Sequence, residues 1–597
     1  MSDSTNSGMV VAEAPGGNQA INRLPTAVTA FVGRTLRGPV NRPVAVRTFG
    51  EFQQVFGGLW QPSPLSYAVE QFFENGGRRA IVVRVINGGA PSTLSLPCGY
   101  DRLLLRALSP GSREALRASV DYDNIGCDEN DRFNLVVQRV RAFGSEHIED
   151  QEIFRGLSID RGSARFIGAA LRDSALIRVA GAVPSTRPDR TFRAGSRHPI
   201  GYVESNPDGD DGAPLTDYDI IGSPQRRSGL FALDGADEVH FLCIPPPTRD
   251  RDVGPSVLVV AEQFCRERHI MLIVDPRAEW ATCDDALKGL SELAFQSDHA
   301  LMCFPRILAY DRLRGHYEAF ANCGAVAGAL ARSDRKGRLW QSRPDEEILL
   351  RPGTRPAVVL TGGERLRLSA HGLNSLQSLR AANPTTHPLK TLAGGAGGTA
   401  DSCLLTRQRR VLLVMKSIER GTRWAVFETH DPAVGKKVTR QVQAFLRPLA
   451  RASLFGGRPG EDNSYVICDE RINSQDDLLQ GRINLLVALK STRPGDYQSF
   501  MVSHSAEGSA VRQVRSRWLP AGTRMSIPPS AQASVDLDAT QPQRTLAQQL
   551  FGSYAEPRPG SLRGAVRRAA ETTAARGGDF NLVSDVHRDF GRGGQPL

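Results

Sequence analysis

Four short, nearly continuous apolar runs constrain the fold of this chain more than any other feature: AIVVRVI (80–86), VHFLCI (239–244), MLIVD (271–275) and ALMCF (300–304). A strand that is apolar on both faces has to be covered on both, as a parallel strand under helices is. The segments between the last three runs read as helices. PSVLVVAEQFCRER spans 255–268, and a second helix, capped by Thr282, runs through Leu287, Leu290 and Leu293. Strands alternating with helices of this length predict a parallel, doubly wound sheet.

The N-terminal stretch has the same grammar. TAVTAFV (26–32) alternates as a strand. A helix opened by the capping box Thr48 and Glu51 buries Phe49, Phe52, Val55 and Phe56 and stops at Gly57-Gly58. A second helix starts at Ser63-Pro64, carries Leu65, Val69, Phe72 and Phe73 on one face, and ends at Gly76-Gly77.

The chain has 597 residues, enough for roughly three to five domains on a prior of about 150 residues each. The fold class expected is multidomain α/β: a doubly wound core, an inserted mostly-β domain and a C-terminal α/β domain. Residues 1–24 read as a polar, Gly-rich arm with one apolar piece, Met9-Val10-Val11-Ala12. Residues 25–92 form the first part of the core. Residues 93–228, with strand-like pieces such as FNLVVQRV (133–140), form the insertion, and 229–383 the α/β part of the core. A Gly/Pro-rich connector occupies 384–402.

Residues 403–504 form the second α/β unit. RVLLVMKSIERG is helical, WAVFE (424–428) reads as a strand, and a basic helix spans about 433–451. Strand YVICD (465–469), a short acidic helix around Asp476-Asp477, and strands INLLVALK (483–490) and YQSFMVS (497–503) follow. Residues 505–597 read as an appended, partly disordered tail with one Ala-rich helical candidate at 561–576.

Several function classes lack their signatures. No run approaches the ~18 continuous apolar residues of a membrane span, and MSDSTNSGMVV has no secretory pattern. The nine cysteines lie outside CxxC and Cys/His spacings, so free thiols are expected rather than disulfides or a metal site. Gly395, Gly397 and Ala400 spell a dinucleotide-like G-x-G-x-x-A without the flanking strand and helix that such a loop needs. Gly435-Lys436-Lys437 lacks the remainder of a phosphate loop. Asp275 ends a parallel strand, where α/β enzymes place catalytic groups, but IVDP is also a turn. His147, Glu149 and Asp150 read as a charged loop rather than ligands. No catalytic, cofactor-binding or metal-ligating residue is therefore assigned.

One segment keeps a single sign of charge. KKVTRQVQAFLRPLAR (436–451) has five basic residues and no acidic one. At about 100° per residue, Lys436, Arg440, Arg447 and Arg451 fall within about 60° of one another. Val434, Val438, Val442, Phe445 and Leu449 lie opposite. One face thus packs on a sheet and the other presents cations. Pro448 is expected to kink or end the helix. From residue types alone, nucleic acid and an acidic protein fit this row equally. The helix carries no interleaved aromatic for stacking on bases.

Long phrases of the chain resemble the contractile tail sheath family of phage tails, tailocins and contractile injection systems. They are TAVTAFVGRTLRGPVNRPVAV, FGEFQQVFGG and LSYAVEQFFENGGRRAIVVRV, then LCIPPP, IVDP and GAVAGALARSDRKGRLW. MKSIERGTRWAVFETHD, LFGG and CDERINSQDDLLQGRINLLVALKSTRPGDYQSFMV complete the set, in family order over 25–92 and 239–503.

The resemblance implies a structural polymer, not an enzyme, with no cofactor and no membrane insertion. Subunits stack as six-fold rings in a helical array around an inner tube protein, bounded by baseplate and terminator or cap proteins. Assembly is implied in the bacterial cytoplasm, within a phage tail or a phage-tail-like particle. The C-terminal domain faces the tube and the insertion faces outward. Lys436, Lys437, Arg440, Arg447 and Arg451 become the tube contact. Met9, Val10, Val11 and Ala12, with Tyr497, Phe500, Met501 and Val502, become strands that add to neighbouring subunits, since both pieces lie near chain ends with little local partner. The other readings are a nucleic-acid-associated structural protein and an α/β hydrolase built around Asp275.

Overall fold

A computed structural model describes residues 20–191, 201–293, 295–340, 348–378, 387–395, 403–428, 432–452, 454, 464–490 and 497–514. The arm strand Met9–Ala12, the helical candidate at 561–576, the LFGG glycines and most of the 384–402 connector lie outside these residues. The described residues fall into two units, 27–336 with 348–395, and 20–26 with 337–340 and 403–514.

The first unit is built on an eight-stranded sheet. Its strands are β1 (Thr29–Gly33), β2 (Val44–Val46), β3 (Ala80–Arg84), β4 (Phe241–Cys243), β5 (Met271–Val274), β6 (Ala300–Phe304), β7 (Ile348–Leu350) and β8 (Asn374–Ser378). The spatial order is β7-β8-β6-β5-β4-β1-β3-β2. All neighbours are parallel except β2, which runs antiparallel to β3. Thr29 faces Ala80 on one side and Phe241 on the other. The sheet has helices α1 (Phe49–Phe56), α2 (Pro64–Asn75), α3 (Pro255–Glu267), α4 (Cys283–Leu293) and α5 (Cys323–Arg335) in its connections.

The apolar runs are buried on both faces, as their composition requires. Ala30, Val32, Ile81, Val83, Leu242 and Leu272 join Val257, Val260 and Phe264 of α3 in one core. On the opposite face Phe31 meets Phe72 of α2 edge-on, with ring centroids 5.6 Å apart. The sequence-read caps are in place. Thr48 accepts the Glu51 N–H at 3.1 Å, and Thr282 and Asp285 bond reciprocally at the start of α4. Gly57 and Gly76 end α1 and α2 in the left-handed conformation.

Residues 91–204 contribute two antiparallel sheets. One pairs Pro91–Cys98, Asp101–Pro110 and Ile177–Val179; the other pairs Ala115–Asp121, Arg132–Val140, Ile148–Ser158 and Val203–Glu204. Leu94, Leu103, Leu105, Leu116, Phe133 and Leu135 share one core there.

The second unit holds α6 (Leu405–Thr422), α7 (Pro432–Arg451), α8 (Gln475–Leu479) and strands β9 (Ser464–Ile467), β10 (Ile483–Lys490), β11 (Tyr497–Ser505) and β12 (Gly508–Val514). The strands form one antiparallel sheet in chain order.

Three expectations are corrected in this unit. WAVFE is not a strand: Arg423–Phe427 continues α6 as a 3-10 turn, and Trp424 Nε1 donates to Gln441 Oε1 at 3.0 Å. With no facing strand, the β-type composition has nothing to pair with. Of the two outcomes expected at Pro448, a kink or an end, the end is excluded: the basic helix runs on to Arg451. The chain past 505 does not begin as tail, because Gly508, at φ 143°, turns it back to form β12 against β11.

Candidate functional site

The basic face of α7 is the first candidate. Val434, Val438, Val442, Phe445, Leu446 and Leu449 are buried, and Lys436, Lys437, Arg440, Arg447 and Arg451 are all exposed. The helix lies against the end of β9 at Gly435, where a Cβ would come within 2.3 Å of the Cys468 carbonyl oxygen. This close approach fixes which side of α7 meets solvent.

The five cations are not equivalent. Lys437 Nζ pairs with Glu428 Oε1 at 2.7 Å and sits 4.5 Å from the Trp424 ring centroid. It is anchored within its own chain, about 100° around the helix from Lys436. Lys436, Arg440, Arg447 and Arg451 have no carboxylate at ion-pair distance among the described residues. The row therefore presents charge that no described carboxylate compensates, at a protein surface where a partner's carboxylates gain about 0–1 kcal/mol per exposed pair.

The strand residues are placed differently from expectation. Tyr497, Phe500, Met501 and Val502 lie in β11, which is paired on both sides. Met501 faces Leu486 of β10 and Arg512 of β12. Phe500 and Val502 are buried in the sheet. The physical reason is the hairpin at 505–508, which supplies β11 with the local partner it was expected to lack. Among the described residues, β9 and β12 are the outer strands of this sheet.

A buried histidine beside these strands was missed by sequence reasoning. His504, 1% exposed, has Nε2 2.8 Å from Thr422 Oγ1 and Nδ1 2.7 Å from Ser509 Oγ. Burial first, and the charge of Arg423 second, lower its pKa to about 4. The ring is thus a neutral tie between α6 and the β11–β12 hairpin. A lone His in an alternating strand gave no signal of this.

Asp275 lies at the carboxyl end of β5, in the position α/β enzymes use for chemistry. Here it is filled by structure. Asp275 Oδ1 accepts the N–H groups of Asn322 and Cys323, both at 2.7 Å, and so caps the start of α5 from another element. Asn322 Nδ2 donates to the carbonyls of Cys303 and Pro305. Burial raises the Asp275 carboxyl and the neighbouring thiols of Cys243, Cys303 and Cys323, which keeps those sulfurs protonated. Around the other charged candidate, arginines occupy the carboxylates: Arg37 pairs with Glu149 at 2.5 Å and Arg139 with Asp150 at 3.6 Å. His147 Nε2 lies 3.0 Å from Arg141. Of the glycine-rich loop, Leu392–Gly395 is a 3-10 turn and 396–400 lie outside the described residues.

No protein-family model matches the chain. A prophage major tail sheath protein of Pseudomonas aeruginosa is 27% identical over 290 residues, 47% of this chain and 70% of the relative. The crystal structure of a sheath tail protein from Listeria innocua shares the fold at a TM-score of 0.53 and 11% identity, over 80% of this chain and 94% of that one. The contracted helical sheath of the anti-feeding prophage superposes at a TM-score of 0.47 and 13% identity, over 83% and 98% of the two chains. In sequence over 290 residues this chain is thus similar to one tail sheath protein, and in fold to another, in line with the resemblance carried by its N- and C-terminal phrases.

Proposed function

We propose that the chain is the structural subunit of a contractile tail sheath. It polymerises as stacked six-fold rings around an inner tube and contracts to drive that tube through a target envelope. Sequence kinship with the prophage major tail sheath protein carries the reading. Assembly takes place in the bacterial cytoplasm, with baseplate and terminator proteins at the two ends of a phage tail or tail-like particle. The role is architectural: the residue best placed for chemistry, Asp275, is spent on capping α5.

Lys436, Arg440, Arg447 and Arg451 face the tube and pair with carboxylates on it. Lys437 supports the row by pinning α7 to Glu428 and Trp424. A single exposed pair contributes about 0–1 kcal/mol. That is weak enough to release, and repetition over rings makes it strong enough to set register. Strand exchange between copies uses the outer strands β9 and β12 rather than β11, with the Met9–Ala12 arm as the incoming strand. Backbone pairing of this kind needs no particular side chain. Contraction draws on energy held in a metastable lattice behind a barrier.

Co-expression with the cognate inner tube protein, followed by electron microscopy, tests this. Cylinders of stacked rings around the tube are expected. A chain that stays monomeric in the presence of its tube at high concentration overturns the reading.

A further inference from the structure

Three guanidinium groups converge on the last carbonyls of α2. Arg332 donates to the Asn75 carbonyl at 2.6 Å and also to Leu349; Arg335 donates to Gly76 at 2.9 Å; Arg351 donates to Glu74 at 3.2 Å. Gly76 makes the approach possible, since a Cβ there would lie 2.9 Å from Arg335 Nη2. Arg78, exposed, stands beside them. A helix C-terminus carries about half a negative charge, far less than four cations bring.

No carboxylate lies at ion-pair distance from Arg78, Arg332, Arg335 or Arg351 among the described residues. The one acidic side chain nearby on α2, Glu74, is taken by Arg312 at 3.1 Å. The cluster is crowded with like charge. Burial, then Arg351 and Arg335, lower the pKa of Arg332; burial, then Arg78 and Arg351, lower that of Arg335. Arg335 and Arg351 are exposed, and each uses one of its five N–H donors on a backbone carbonyl. The remaining donors are held in a fixed fork that matches carboxylates. This is more than a helix end needs, and an anion relieves the repulsion.

We infer that the arginine cluster at the end of α2 is a docking surface for an acidic segment of a second copy of this chain. The inference rests on the polymer reading for its choice of occupant. Charge complementarity names the segment: around α8, Glu470 and Asp476 are exposed without a cation partner among the described residues, next to Leu479 at 84% exposure. The neighbouring acids Asp469 and Asp477 are already paired with Arg471 and Arg482. A protein occupant fits better than nucleic acid. The guanidiniums are gathered on one helix terminus rather than strung along a groove, which is how a phosphate backbone is tracked.

The direct test titrates a labelled peptide of residues 469–480 into the full-length protein by fluorescence anisotropy. Saturable binding is expected, weakening with salt and falling about tenfold in R335E/R351E, as for loss of charge pairs in an interface. The milder R335Q/R351Q keeps the side-chain length and is expected to lose binding as well. Equal binding by wild type and both variants overturns the inference. Duplex DNA is run in parallel, and arginine-dependent binding of DNA tighter than of the peptide overturns the acidic-protein assignment. So does a D345N/E346Q/E347Q chain that binds the peptide about tenfold more tightly, because the chain's own acidic run is then the occupant. In assembly, E470R/D476R and R335E/R351E chains are each expected to fail alone and to assemble when mixed. If wild type forms cylinders and the single variants form them equally well, the docking inference falls and the sheath reading stands. If wild type forms none, the sheath reading falls and the peptide titration still decides the surface.

Discussion

His504 Nε2 lies 2.8 Å from Thr422 Oγ1, and that hydroxyl already donates to the Ile418 carbonyl at 2.7 Å. The Thr422 proton is thus committed to the helix, so the ring must donate from Nε2 and accept the Ser509 hydroxyl at Nδ1. Protonating the ring destroys this arrangement and charges a buried group. The folded pKa is lowered from 6.5 to about 4, so the contribution is full above the unfolded pKa. It is lost progressively as pH falls from about 6.5 towards about 4.

The expected outcome is a urea midpoint for this unit that is flat above pH 7 and drops in that window, by an equivalent of about 3 kcal/mol at most. A His504→Gln chain is expected to be less stable at pH 7.5 and to lose most of the drop. A variant with the same acid limb as wild type would show that carboxylates elsewhere set it.

Asp275 yields a second prediction. Asp275→Ala leaves the Asn322 and Cys323 N–H groups buried without their acceptor. Loss of a cap of this kind costs about 1–2 kcal/mol. Asp275→Asn keeps an accepting oxygen and is expected to cost less. Chemical denaturation of the two variants orders them, and the reverse order rules out the capping role.

The legible parts of the fold were those written locally. Thr48 with Glu51, Thr282, and the glycines after α1 and α2 announce their helices, because a cap is decided within a few residues. The runs at 80–86 and 271–275 announce buried parallel strands, because continuous apolar character has one main explanation in a short segment. The failures were decided at a distance. WAVFE has β-type residues, but a strand exists only with a partner, and the chain there leaves α6 without one. Gly508–Val514 shows weak alternation, and its strand is fixed by seven residue pairs with β11 rather than by its own composition. Of the candidate site, the face of α7 followed from periodicity. The division of labour within it did not, since Glu428 and Trp424 reach Lys437 only after the 3-10 turn is formed.

The hairpin at 505–508 supports a third prediction. A chain ending at Ser505 lacks β12 and exposes one edge of β11 along Ser499–Ser505, the residues now paired with it. An unprotected edge is a template for another chain. The truncated protein is expected to melt at a lower temperature and to scatter light on heating, where the chain through Val514 does not. Indistinguishable behaviour of the two would mean that β12 adds nothing to the sheet.

The inequality among the cations of α7 gives the last prediction. Lys436 and Arg440 project from the exposed face without a carboxylate among the described residues, while Lys437 is bound to Glu428 and lies over Trp424. Lys436→Glu with Arg440→Glu is expected to leave thermal stability within about 0.5 kcal/mol of wild type, as surface changes usually do. On the proposed tube contact it is expected to abolish growth of extended sheath on the tube, because each reversed pair would turn a small attraction into a repulsion repeated in every ring. Lys437→Gln is expected to act the other way round. Tube attachment survives, while Trp424 fluorescence changes and stability falls by about 0.5–1 kcal/mol with the lost cation–π contact and exposed ion pair. Microscopy of assemblies and melting of the isolated chains separate the two patterns. If all three substitutions weaken attachment alike without altering Trp424, Lys437 belongs to the contact row and its intramolecular pairing is incidental.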